Sequence, residues 1–213
     1  MPLSSVLGAS TLIKPGVVTS STRPAVPYEG QLIYETDTDR IAAYNGSAWV
    51  TQNGLQLIKT QTIGSAVSSV AVTDVFSSTY DAYKIIVSGG AGSADLTLRL
   101  QIGSSTTGYY GGFSGVNASG TTDNLGINNA ANMTYAGYGN TSTIGMNCEV
   151  INPNLAERTN ISAIFARNVS GTQGYGVAVC ELADTTQHTG FTILTSTGTV
   201  TGGTIRVYGY ANN

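Results

Sequence analysis

Asp95-Leu96-Thr97-Leu98-Arg99-Leu100-Gln101-Ile102 decides the class of fold. Every second residue is aliphatic and the residues between are polar or charged. Successive side chains of a strand point to opposite faces, so this stretch offers one core face and one wetted face. A helix would spread the same residues around its circumference. Thr204-Ile205-Arg206-Val207-Tyr208-Gly209-Tyr210 repeats the pattern.

Outward from these two segments the chain reads as strand, turn, strand. Strands are expected at 55–62, 69–75, 82–88, 94–102, 145–151, 160–168, 174–182, 190–195 and 203–210, with Gly, Ser and Asn between them. No stretch has the period of an amphipathic helix, and 154–158 offers one turn at most. The expected class is all-β, with residues 55–213 forming an antiparallel β-sandwich of jelly-roll type. The interval 103–144 breaks the pattern: Gly, Asn, Ser and Thr surround Tyr109, Tyr110, Phe113, Tyr135 and Tyr138. Tyrosine among small polar residues is the chemistry of adaptable binding loops. These five aromatics are therefore candidates for a receptor-facing loop, or for edge strands packed between subunits.

Composition narrows the function. Of 213 residues, 10% are charged and 41% hydrophobic. Ser, Thr, Asn and Gly must then supply the polar surface, which leaves the chain poorly guarded against association. A net charge of −3 lacks the basic footprint of a nucleic-acid binder. No apolar run has the length of a membrane-spanning helix, and the N-terminal residues lack the pattern of a secretory signal.

Catalytic residues are not expected. His188 is the sole histidine and sits in a polar turn, without a nucleophile elbow that would recruit it. Asp37 with Asp39, and Glu149 with Glu181, are carboxylate pairs of the kind chance supplies. The first two suit turn capping and lack the spacing of a calcium loop. Cys148 and Cys180 lie in apolar strand-like runs and read as buried thiols, bridged only if their strands are neighbours. With one histidine they make a poor metal set. No cofactor or metal is called for. Six Asn-x-Ser/Thr sequons, at Asn45, Asn117, Asn132, Asn140, Asn160 and Asn168, are what this composition produces by chance.

Ahead of the sandwich come two further parts. Residues 1–29 hold Pro2, Pro15, Pro24 and Pro27 and should form an extended attachment arm. Its apolar residues, Leu3, Val6, Leu7, Leu12, Ile13, Val17 and Val18, need a surface to pack on. Residues 30–54 read as a three-stranded connector with strands at 31–34, 41–44 and 48–50. Asn45-Gly46 marks a type I′ hairpin turn between the last two. So small a ribbon has to borrow a core from its own sandwich or from another chain. Leu32, Tyr34, Tyr44 and Trp49 are the candidate anchors of that contact.

Ser21-Thr22-Arg23-Pro24-Ala25-Val26-Pro27, then Gly30 to Arg40, then Tyr44-Asn45-Gly46-Ser47-Ala48-Trp49, resembles a segment of tailed-bacteriophage structural proteins. In outline it is T-R-P, G-x-x-I-Y-E-T-D-T-x-R, then Y, N-G and W. About 30 residues carry the resemblance, and such segments occur in tail-fibre and other appendage proteins of the virion. The resemblance implies a non-enzymatic virion protein, assembled in the host cytoplasm, usually trimeric, with an N-terminal attachment part and a distal β-domain. Its expected partners are two further copies of itself, other virion proteins through residues 1–51, and a glycan or protein on the host surface. A capsid decoration protein clamping capsid subunits, and a carbohydrate-binding module, are the alternative readings.

Overall fold

Alternating runs become strands throughout the described residues, which contain no helix. The computed structural model describes residues 15–51, 54–169 and 172–212. The calls on Leu3, Val6, Leu7, Leu12 and Ile13 lie outside them. The chain divides into two units, at Asn53 and Gly54.

The first unit is one small mixed sheet: β1 (Gly16–Val18), β2 (Leu32–Glu35), β3 (Arg40–Tyr44) and β4 (Trp49–Thr51), side by side in that order. The expected three-stranded ribbon is there, and the arm adds a strand to it. β1 pairs parallel with β2, Val17 opposite Tyr34, so no structural break falls at residue 29. The Asn45-Gly46 turn differs from the type I′ form. Only Gly46 has positive φ, at 89°. The Asn45 side chain instead accepts hydrogen bonds from the backbone N–H of Ser47 at 3.0 Å and Ala48 at 2.7 Å. The side chain thus does the work that a second left-handed residue does in a type I′ turn.

The second unit is a sandwich. Its eight principal strands are β5 (Leu55–Thr62), β6 (Ser69–Val72), β7 (Ala82–Ser88), β9 (Leu96–Ile102), β12 (Met133–Asn140), β13 (Thr143–Ile151), β16 (Phe191–Thr195) and β18 (Thr204–Tyr210). One sheet runs β5-β18-β7-β13 and the other β6-β16-β9-β12, every pairing antiparallel. Counted in chain order these are 1-8-3-6 and 2-7-4-5, the double Greek key of a jelly roll. The β12–β13 hairpin joins the two sheets into one curled surface. Leu96, Leu98, Leu100 and Ile102 point inward with Ile85, Val87, Met146, Val150, Ile205 and Val207, all buried.

Two insertions enlarge the first sheet. β10 (Tyr109–Asn117) and β11 (Thr122–Ala130) follow β9, and β14 (Thr159–Val169) and β15 (Thr172–Leu182) follow β13. β14 pairs with β13, β15 with β14, β10 with β15 and β11 with β10. A short bridge of β8 (Ala91–Gly92) with β17 (Val200–Thr201) completes the unit. The interval 103–144 is therefore three strands and not a loop.

Candidate interaction faces

Residues that carry the sequence resemblance fold the first unit onto itself. Glu35 is 1% exposed and paired with Arg23, and it accepts a hydrogen bond from Thr38 Oγ1 at 2.9 Å. The Arg23 hydrogen bond is the main reason its carboxyl titrates below the usual range. Asp37 accepts from the Ser20 N–H at 2.8 Å, and Asp39 accepts from the Tyr34 hydroxyl. Tyr44 and Trp49 pack ring on ring, centroids 5.5 Å apart. Asp37 and Asp39 thus serve as turn and strand ties.

The Arg23–Glu35 pair and the Tyr44–Trp49 contact close one face of the sheet, on which Ile33 and Ala42 are buried. The opposite face carries the register rows Val17–Tyr34–Ile41 and Leu32–Ala43–Val50. Val17 is 69% and Ile41 58% exposed, and Leu32 and Val50 are also open. Of the four expected anchors, Leu32 and Tyr34 lie on this open face. Tyr44 and Trp49 belong to the covered one. Ile41 and Val50 were not singled out from the sequence, although their alternation with Ala42 and Trp49 marks a second apolar face, and Val17 was named only as an apolar residue of the arm in need of a surface.

The expected tyrosine loop is dispersed. Tyr109 is fully buried and its hydroxyl accepts the Ile102 N–H at 2.6 Å. Burial raises its pKa. Phe113 stacks between Tyr135 and Phe165, with centroids 4.8 and 6.0 Å away, and the Arg167 guanidinium lies 5.1 Å from its ring centre. Tyr138 is buried too, so of the five aromatics only Tyr110 is open to solvent. The group cannot form one receptor-facing surface, because core packing has claimed most of its rings.

A different surface of the second unit is open. On the outer side of β11, β10, β15 and β14 three register rows run across the sheet: Thr122–Val116–Tyr175–Ala166, Asn124–Ser114–Val177–Ile164 and Gly126–Gly112–Val179–Ser162. None of these residues is charged. Ile164 is 60%, Val179 57%, Tyr175 55% and Val177 39% exposed. Beside Ile164, where β13 passes from pairing with β12 to pairing with β14, lies a cleft of about 320 Å³ lined by Tyr138, Gly145, Asn147, Ile164 and Phe165 among others. It too carries no charge.

No family model, no curated protein and no solved structure matches the chain.

Asp184, His188, Glu149 and Glu181 of the second unit are occupied with structure. Ser105 Oγ donates to Asp184 Oδ2 at 2.5 Å, and His188 Nε2 lies 3.2 Å from Asp184 Oδ1. The carboxylate therefore stands between hydroxyl and ring, and no Ser-to-His proton path exists of the kind an acyl-transfer triad uses. Burial opposes the Asp184 charge, but the bonds from Ser105 and the Thr186 N–H outweigh it and hold the carboxyl below its usual range. The backbone of buried His188 is clasped as well, by the Pro153 carbonyl at 2.8 Å and by Asn154 Nδ2 at 2.7 Å. Glu149 is bound to Lys84 at 2.8 Å and to the Tyr210 hydroxyl at 2.6 Å, and Glu181 to Arg158 at 2.7 Å. Among the described residues, no group of His, Cys, Asp or Glu could hold a metal ion.

Proposed function

We propose that this chain is a non-enzymatic structural protein of a tailed-phage virion, a homotrimeric appendage of fibre or spike type. Its N-terminal residues 1–51 dock to other virion proteins, and its sandwich faces outward for adhesion to a glycan or protein of the host surface. One observation carries this reading. The residues through which residues 21–49 resemble phage appendage segments are the same ones that hold the first unit together: Arg23 and Thr38 with Glu35, Asn45 with its turn, and Tyr44 with Trp49. The motif is thus a folding unit, and what it leaves bare is an apolar face. A sheet this small buries too little to stand without cover, which suits a docking part. The occupied state of His188 and the carboxylates supports a role in assembly over one in catalysis.

Immunogold labelling of purified particles with antibody against residues 54–213 tests the proposal. Gold at tail fibres or spikes is the expected result. Gold over the capsid faces would favour the decoration reading, and particles without label would overturn the virion assignment.

A further inference from the structure

We propose that the outer face of β11, β10, β15 and β14 is a contact between copies of this chain. The first argument is which way the side chains point. Along β15 the small residues Gly176, Ala178 and Cys180 face the core, and Tyr175, Val177 and Val179 face out. Burying the large set would have been the better use of a solvated strand, since burial of apolar area drives folding. The inversion makes sense when the outside is covered in the working molecule.

Charge selects the cover. The three register rows carry no charged residue, and at their margin Glu149 and Glu181 already hold Lys84 and Arg158. A second copy meets no like charge there, and every copy is equally neutral. A nucleic acid or an acidic peptide would find no cation on the face. The backbone poses no obstacle either: β10, β15 and β14 have strand partners on both edges, so burying their face strands no ladder group.

The size also fits. Four strands about 4.8 Å apart and about seven residues long at about 3.3 Å each, with side-chain margins, present about 500 Å². Stable protein pairs bury about 600 Å² or more per partner at the low end. Ile151 and Tyr110, exposed at the border of the face, supply the remainder. With Val177 facing Val177 about a two-fold axis, the contact pairs two copies in solution, and it depends neither on the homotrimer nor on the virion assignment.

The experiment uses the full chain, with mass measured by light scattering after gel filtration at about 50 µM. Wild type should run as an oligomer. Val177→Asp and Val177→Lys should each weaken association about a hundredfold and run as monomers, because a lone charge in a desolvated contact has no partner. Both should keep the wild-type near-ultraviolet dichroism, since Val177 is half open. Mixing the two variants should recover the oligomer, as opposite charges then face each other. A monomeric wild type, a variant that keeps the wild-type mass, or a mixture that stays monomeric would each overturn the inference. A chain dissociated by Ile41→Asp but not by either Val177 variant would overturn it as well, and would place self-association on the first unit.

Discussion

Glu35 shows how much of the first unit hangs on one side chain. With Arg23 removed, its carboxylate is left buried with Thr38 as the remaining side-chain donor. Arg23→Ala should lower the stability of the unit by about 1–3 kcal/mol, the cost of a buried acceptor losing its partner. Trp49, the sole tryptophan, lies in this unit, so its fluorescence in a urea titration reads the loss directly. The pH dependence has a fixed sign. The folded pKa of Glu35 is depressed, so its contribution is complete above the unfolded value of about 4.3 and is lost as pH falls through the folded one. The urea midpoint of wild type should drop below about pH 4, and that of Arg23→Ala should drop less. At Gly176 the constraint is space. An added Cβ would stand 2.3 Å from the Phe113 ring, with Phe165 at 3.1 Å behind it. Gly176→Ala should cost about 1–3 kcal/mol through overpacking, seen as a lower melting temperature by far-ultraviolet dichroism.

At the level of elements, every strand expected from 55 to 102 and from 145 to 210 is present, with ends shifted by a few residues. Those strands had alternation with large aliphatic side chains on one side. β10, β11 and β12 had none, because glycine and asparagine occupy positions that usually announce a strand. In β15 the pattern was visible but its inward side was not. Both sides are apolar, and the rings of Phe113 and Phe165, which come from other strands, decide that the small side goes in. The open face was illegible for that reason. The same strand order answers the question of the cysteines. Cys148 pairs across to Ala163 and Cys180 to Ile161, so β14 lies between them. Two strand spacings are about 9.6 Å, beyond the roughly 4.4–6.8 Å between Cα atoms that a disulfide spans. Burial also raises both thiols, that of Cys180 to about 12. Native protein should take up no iodoacetamide, denatured protein two equivalents, and reduced and non-reduced samples should migrate alike.

At the scale of the whole molecule, charge-poor composition foretold sticky surfaces, and the structure distributes them as two open sheet faces. Neither belongs to the five aromatics of 103–144, since a side chain's worth as an anchor depends on which neighbours have already enclosed it. The parallel pairing of β1 with β2, single among the described residues, has a mechanical consequence. β2, β3 and β4 alternate in direction, so β1 and β4 run the same way and the chain enters and leaves the sheet at opposite ends. Tension along the chain therefore loads the hydrogen bonds of this sheet in shear, all at once. An antiparallel β1 would have brought both exits to one end, where the ladder would unzip bond by bond. Pulled from a handle ahead of Gly16, the unit should rupture at higher force than from a handle at Thr19→Cys, just past β1. Equal forces in the two geometries would show that the direction of β1 is mechanically silent. A chain built this way bears load where it is tethered.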